Sequence, residues 1–511
     1  MFVGSYRDNE VTKDHPMFQM MKSVRSHGVV TTELHLKGLN KDDLNQFVAE
    51  MLGIFPRISR PLSDIIYKKT EGNPYFALAF VRSLVDKRLL KYSLREKRWI
   101  WDEGKIKAEQ ISDNVLHLLS SRMTSFPEET QIALKILACF GIKVNDSVIK
   151  CLTTTPTYTN LQEWINQCID EGLIKHMANQ YHFVHDKVRE AAYSLIPESS
   201  KKQFHYDLGM LLHSAMKGQD MGSAIFLIVN QINHGSPALI QSSMKVDISE
   251  LNYMAGLRAM SLQDNQTANS YLSVALSLLP ENHWTDHYDL SLKMHTLAAN
   301  VTYTCGNTKQ ACLLLKKVIS EKRPSLENKL LDAYVLYATI LHACDHSDES
   351  YDICVDVLTQ LKEALPSSTR WLPSSPSPPQ EVGAKLMETA MQLAKLSNND
   401  ITNLQRMQSG SSYQYIMKFY TLLLTITYLK KPQMMVGIGC RMIRITLDHG
   451  LCSESILGFV QYCGIICMQA KDAASMKEAY RIGKTVMQLL PEFTMSSPEI
   501  FPNANYIYYV S

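Results

Sequence analysis

The chain has 511 residues, 52 Lys and Arg against 50 Asp and Glu, and a net charge of +2. That length allows about three domains, and the near-neutral balance supplies no global basic field for nucleic acid or an anionic membrane. With 45% apolar and 20% charged residues and no apolar run of the roughly 18 residues a membrane span needs, the secreted, membrane, collagenous and disordered classes are excluded.

The first stretch, Met1 to Tyr6, reads as a short strand with no charged leader and no small-residue cleavage site, so no signal peptide is expected. A second strand-like run covers Thr32 to Leu36. Asn40-Lys41-Asp42-Asp43 supplies an N-cap and an acidic first turn for a helix carrying Leu44, Phe47, Val48, Met51 and Leu52 at helical spacing. Gly72-Asn73-Pro74 breaks the pattern, and the next helix runs from Tyr75 to Leu90 with Pro74 in its first turn, where no N–H is needed. A strand pair is expected around Leu90-Lys91-Tyr92 and Trp99-Ile100-Trp101. This α/β-flavoured region ends near residue 110.

Residues 111–205 give four helical patterns and then a hairpin, Leu173 to His176 and Gln180 to Val184, before another helix that Asp186 would cap. Helices followed by a hairpin predict a winged helix. Nine Lys and Arg against ten Asp and Glu in this segment give −1, which argues against a phosphate-binding face.

From 206 to 511 helix follows helix. Turn-like clusters at Asp264-Asn265, Gly306-Asn307, His346-Ser347, Lys431-Pro432 and Lys471-Asp472 are separated by 42, 40, 85 and 40 residues. A helical hairpin repeating roughly every 40 residues, slightly longer than a tetratricopeptide unit, explains the spacing. Leu272, Ala275, Leu276 and Leu279 form the i, i+3, i+4, i+7 stripe of one such hairpin. The irregular interval contains 365–380, whose prolines and serines predict an exposed loop.

Chemistry-bearing motifs are sparse. Gly483-Lys484-Thr485 lacks the glycine five positions earlier that a phosphate loop requires, Glu478 standing there, and its surroundings are helical. His342, Cys344, Asp345, His346 and Asp348 crowd a hairpin turn, whereas metal ligands usually come from two elements. His283 and His287 lack the Glu of a metalloprotease helix, and Cys463 and Cys467 read as core thiols. Eleven cysteines without a CxxC read as reduced thiols, which places the chain in a reducing, cytoplasmic compartment. No catalytic residue and no metal site are assigned.

Three segments say more together than apart: Tyr6-Arg7-Asp8-Asn9-Glu10, TEGNPYFALAFVRSLVDKRLL with RWIWD after it, and FVHDKVREAAYSLIPE. With ISDNVLHLLSSRMTSFPEETQIALKILACFG between them, they resemble the STAND class of AAA-type signalling ATPases. The likeness is to the version embedded in large hybrid sensor kinases, where a Ser/Thr-kinase-like domain, the ATPase, a tetratricopeptide-like array, a GAF domain and a histidine kinase follow one another. It extends weakly to LDHGLCSESILGFVQYCGIICMQAKDAASMKEAYRIGKTVMQLLPEF, near the end.

The resemblance implies a mainly α chain: 1–110 the C-terminal part of an ATPase domain with its helical lid, 111–205 a winged helix, 206–511 tetratricopeptide-like repeats. It implies that Arg7 sits at the sensor-1 position, within reach of a γ-phosphate. Pro74 would pack on adenine, and His185 would contact the nucleotide phosphates in a closed, inactive state. The family's Walker A loop and Walker B strand lie upstream of the segment that begins here at Met1, so residues 1–40 are expected to be poorly ordered, with an unpaired strand edge. No cofactor is expected for this chain alone, ATP or ADP with Mg belonging to the intact family. The expected role is regulatory and scaffolding, through protein partners on the helical array and without catalysis. The alternative is an ATP/ADP switch whose phosphate loop comes from upstream sequence or a partner chain.

Overall fold

The computed structural model describes residues 16–32, 34–108, 115–216, 222, 224–321, 328–363, 379–430, 433–469 and 473–493. The strand expected at Phe2 to Tyr6, Arg7, the turns at Lys431-Pro432 and Lys471-Asp472, and the 365–380 loop up to Pro378 lie outside them; Pro379 and Gln380 open a helix. The chain is mainly α and divides into two compact units, Met1–Lys217 and Gly218–Ser511.

The first unit runs α1 (Pro16–Ser26), α2 (Lys41–Leu52), α3 (Pro56–Thr70), α4 (Pro74–Asp86), β1 (Leu90–Ser93), β2 (Arg98–Trp101), α5 (Glu103–Ala108), α6 (Val115–Met123), α7 (Glu128–Phe140), β3 (Lys143–Asn145), α8 (Asp146–Thr153), α9 (Leu161–Asp170), β4 (Ile174–Met177), β5 (Gln180–Phe183), α10 (Asp186–Ser194) and α11 (Glu198–Ala215). Asn40 caps α2 as its sequence predicts, its side chain accepting from the Asp42 and Asp43 N–H groups at 2.9 Å. Leu44, Val48 and Leu52 turn inward to meet Leu62, Ile66, Phe80 and Leu84 of α3 and α4. Asn45, buried between α2 and α3, is satisfied by the Pro56 carbonyl and by the hydroxyls of Ser59 and Ser63, at 2.7–2.9 Å. A buried amide in that position costs little because its polar atoms are bonded.

β1 and β2 form the expected hairpin, Leu90 opposite Trp101, and the Trp99 indole N–H donates to the Leu52 carbonyl at 2.9 Å, pinning it to α2. The helix expected to reach Leu90 stops at Asp86. Arg88 takes a left-handed φ of 56°, the Leu89 N–H closes onto the Leu84 carbonyl, and Leu90, fully buried, starts β1 instead. The strand expected at Thr32 to Leu36 does not form among its described residues. Leu34 and Leu36 are 85% and 98% exposed, and no described strand lies alongside to take their backbone hydrogen bonds.

The second half of this unit has the order of a winged helix, three antiparallel strands arranged β3-β5-β4 behind its helices. The β4–β5 turn puts Ala178 and Asn179 at φ of 50° and 61°, the two-residue turn whose twist suits a hairpin. The three-residue β3 escapes the sequence reading because alternation over Lys143-Val144-Asn145 is too short to register. The boundary expected after residue 205 falls inside α11, which packs on α8.

The second unit comprises α12 (Ala224–His234), α13 (Lys245–Ser261), α14 (Asn265–Leu278), α15 (His283–Asp286), α16 (Tyr288–Thr304), α17 (Thr308–Ser320), α18 (Asn328–Ala343), α19 (Ser347–Gln360), α20 (Pro379–Leu393), α21 (Asn398–Thr402), α22 (Ser412–Lys430), α23 (Gln433–His449), α24 (Ser453–Gln469), α25 (Ala473–Met487) and α26 (Leu490–Phe493). The repeat predicted from turn spacing is visible as one capping device used three times. Gln263, Gly306 and Asp345 each take a left-handed φ, of 61°, 85° and 63°. The next residue's N–H then reaches back five positions: Asp264 to Ala259, Asn307 to Thr302, His346 to Leu341, at 2.9–3.0 Å. This is the Schellman closure that satisfies the last carbonyls of a helix. Asp264 and Asn307 go on to cap the following helix, accepting from the Thr267 and Gln310 N–H groups. One residue pair thus ends one helix and starts the next, which explains why the hairpin turns need so few residues.

The α14 stripe is displaced by one position at its end. Leu272 and Ala275 are fully buried as expected, but Leu278 rather than Leu279 completes the face, because Leu279 leaves the helix in an extended conformation. Further along, Glu363 is held in the interior by Arg441, whose Nε and Nη2 donate to its two carboxylate oxygens at 2.5 and 3.0 Å, and by the Tyr420 hydroxyl at 3.0 Å. Among the described residues no helix is long and apolar enough to cross a membrane.

Candidate functional site

The first unit brings together two of the three segments singled out in the sequence. Gly72, at φ 79°, lets the chain turn into α4 while its carbonyl accepts from the Leu39 N–H at 2.8 Å. Asn73 then caps the helix, its side-chain oxygen accepting from the N–H groups of Tyr75 and Phe76 at 3.0 and 3.2 Å. Pro74 takes the first helical position, where its missing N–H costs nothing, and its ring is exposed. Tyr75 and Phe76 are thereby aimed from the helix start.

They meet His185. The Tyr75 and His185 rings are stacked with centroids 4.9 Å apart and planes 6° from parallel, and Phe76 presents its edge to the same imidazole at 5.6 Å. Motifs separated by more than 100 residues in sequence form one aromatic contact, made possible because α4 packs on α6 and α6 on α10. The helix expected to be capped by Asp186 is capped by His185 instead. The Lys187 N–H donates to His185 Nδ1 at 3.1 Å, which puts the proton of the neutral ring on Nε2. Asp186 stands in the first turn, where its negative charge suits the helix dipole.

Two arginines act on this contact through their fields. Burial pushes the Tyr75 phenol up, and the positive fields of Arg122 and Arg82 oppose that shift. Arg122 is held by Glu171 at 2.7 Å and Lys187 by Glu190 at 2.6 Å. The arrangement clamps one aromatic ring against another, and the nearby Arg122 and Lys187 are each paired with a carboxylate. Rings 4.9 Å apart leave no room for a planar group between Tyr75 and His185. Replacing Asn73 with Ala should cost about 1 kcal/mol by removing the cap, read as a shift of the urea midpoint.

The other motifs resolve into local structure. Gly483, Lys484 and Thr485 lie inside α25, the Thr485 hydroxyl donating to the Arg481 carbonyl at 2.8 Å, so their backbone N–H groups are spent on the helix. His342 Nδ1 bonds the Ser347 hydroxyl across the hairpin turn at 3.0 Å. His283 is buried against Ser291, 2.8 Å from its hydroxyl. All eleven cysteines are free thiols, and burial pushes Cys463 up to about 12, which keeps it protonated.

No family model matches the chain. It is similar to the hybrid signal transduction histidine kinase G of Dictyostelium discoideum, at 24% identity over 392 residues, which cover 63% of this chain and 11% of that protein. The match therefore spans about a tenth of the length of that curated relative. Among solved structures it is similar to a signal transduction ATPase with numerous domains carrying a tetratricopeptide repeat sensor, from Pyrococcus horikoshii. That similarity has 15% identity, a TM-score of 0.31, and coverage of 92% of this chain and 75% of the other.

Of the three residues expected at a nucleotide, Arg7 lies outside the described residues, while Pro74 and His185 fall on the two elements that converge. Tyr75 and Phe76, which make the contact, were not predicted as site residues. Their signal was present, two aromatic side chains directly after a Gly-Asn-Pro helix start, but nothing local indicates that a histidine from a separate hairpin–helix junction arrives there.

Proposed function

We propose that this chain is a regulatory section of a signalling protein, in which the Tyr75–His185 contact joins a lid-like helical segment to a winged helix, and the helical repeats engage a protein partner. The observation that carries this reading is the stack itself. It ties two motifs to one another through aromatic area and a neutral imidazole. The similarity to a hybrid signal transduction histidine kinase supports the signalling context, and hairpins stacked in series support a partner-binding array. In this reading the winged helix is a joint within the chain rather than a nucleic-acid reader, consistent with its local charge of −1 from nine cations and ten carboxylates over 111–205.

The reading assigns the chain no catalytic step. In the alternative reading, Pro74 and His185 are the described residues that would approach a nucleotide. Isothermal titration of the full chain with ADP and ATP is therefore expected to show no hydrolysis and no micromolar binding that His185→Ala abolishes. Micromolar binding with turnover would replace this reading with an ATP/ADP switch. The His185→Ala chain should also be cut faster by protease between α4 and α10, since the joint loses a ring pair worth about 1 kcal/mol. An unchanged cleavage rate would remove the stack as the joint.

A further inference from the structure

The second unit contains a basic cleft that the signalling reading does not use. Lys477, Glu478, Arg481 and Lys484 of α25 line it with Asn398 of α21, and Tyr480 stands at its side. Its volume is about 610 Å³, within the range of small-molecule sites and smaller than a groove for an extended peptide. We propose that this cleft binds a small phosphate-bearing ligand.

The charges argue for an anion. Three cations face one carboxylate, so the lining carries +2. The carboxylate is already spent: Glu478 takes Arg481 Nε at 2.9 Å and Nη2 at 2.6 Å, and the guanidinium lowers its pKa below the ordinary range. Arg481 is fixed further by Asn398, whose side-chain oxygen accepts from Nη1 at 2.5 Å. Lys477 and Lys484 make no ion pair with a described residue. They lie seven positions apart, two turns of one helix face, with the immobilised Arg481 between them. Lysine ammonium groups on flexible stems are point charges that close on a phosphate.

A flat surface adjoins the charges. Lys484 Nζ lies 6.0 Å from the centre of the Tyr480 ring, and that ring is 60% exposed. A ligand with a planar group beside its phosphate would satisfy both. The backbone is not the binding element, because the N–H groups of this helix interior are committed, unlike those of a phosphate loop.

The inference is independent of the Tyr75–His185 reading, which concerns the other unit. Titration of the full chain with pyrophosphate at low salt should give saturable binding that weakens steeply as salt rises. The double variant Lys477→Gln, Lys484→Gln should weaken it about tenfold or more while leaving the circular dichroism spectrum and thermal midpoint unchanged, since both side chains are exposed. Glu478→Gln should tighten it about threefold by freeing Arg481 and raising the lining charge. His185→Ala should leave it unchanged. Absent saturation, equal affinity in the double variant, loss of binding in His185→Ala, or tighter binding of an oligoglutamate peptide than of pyrophosphate would each overturn the proposal.

Discussion

Replacing Gly72 with Ala is expected to unfold the segment that carries Tyr75. A Cβ at this position would lie 2.0 Å from the Leu39 carbonyl oxygen and 3.0 Å from its carbonyl carbon, all rigid backbone. The residue also sits at φ 79°, where any L side chain is strained. Gly38 closes the same approach from the other strand of chain, its ideal Cβ position lying 2.7 Å from the Glu71 oxygen. Nothing on either side is the flexible end of a side chain, so relief requires the Leu39–Gly72 hydrogen bond at 2.8 Å to break. Steric overlap, strain and the lost bond together should cost at least about 4 kcal/mol, a large part of the stability of a typical domain. Urea unfolding of the first unit, followed by Trp99 and Trp101 fluorescence in the hairpin, is the measurement. A shift below about 1 kcal/mol would mean that the segment at Leu39 is not held where the geometry puts it.

The second unit should lose stability in mild acid through His295. This histidine of α16 is 3% exposed. Its Nδ1–H donates to the Ser291 carbonyl at 2.8 Å, and its ring stacks on His283 at 5.4 Å and lies 4.8 Å from Trp284. Burial lowers its pKa to about 4, the Ser291 bond opposes that, and Lys317 and His283 add to it. His283 is lowered as well, by burial first, then by Lys317, with Glu321 opposing and His287 adding. Across the packed α18, Lys329 is already paired with Asp289 at 2.7 Å. Between pH 6.5 and 4 the unfolded chain therefore binds a proton that the folded one refuses. Stability is complete above pH 6.5, falls as the pH drops through that window, and levels off below about 4.

The fall from 6.5 to about 4 corresponds to about 3 kcal/mol for His295 at the acid end. His295→Leu keeps the volume and removes the titration, so its stability should be nearly flat across the same window, apart from the smaller contribution of His283 and, near pH 4, of Glu478 and Glu492, which their arginine partners hold below the ordinary range. Thermal melts at pH 7, 5.5 and 4 compare the two chains. Parallel losses in both would show that His295 does not carry the effect.

These cases divide along the line between local and distant information. Asn40 as a cap, Pro74 at a helix start and the turns at Asp264-Asn265, Gly306-Asn307 and His346-Ser347 are legible because each depends on residues within one turn of one another, and the β1–β2 hairpin because its two strands lie close together in sequence. The misreadings share the opposite cause. Leu90 fits the α4 pattern and is instead pulled into β1 by a buried site that β2 completes, and Leu34 and Leu36 read as strand but have no described neighbour. The candidate site shows the same split. Pro74 and His185 could be marked from their motifs, whereas Tyr75 and Phe76 became site residues only when α6 brought α10 against α4.

The sequence by itself determined that the chain is mainly helical, that a winged-helix-like segment precedes a repeat of about 40 residues, and that no motif supplies a phosphate loop. Those facts follow from periodicity, capping residues and composition, which act over a few residues and need no fold. Tertiary structure alone decided that His185 stacks on Tyr75, that Glu363 finds Arg441, and that Lys484 lines a cleft. Each of these depends on closing a long stretch of chain, and the free energy that closes it comes from buried apolar faces rather than from the polar residues that meet as a result.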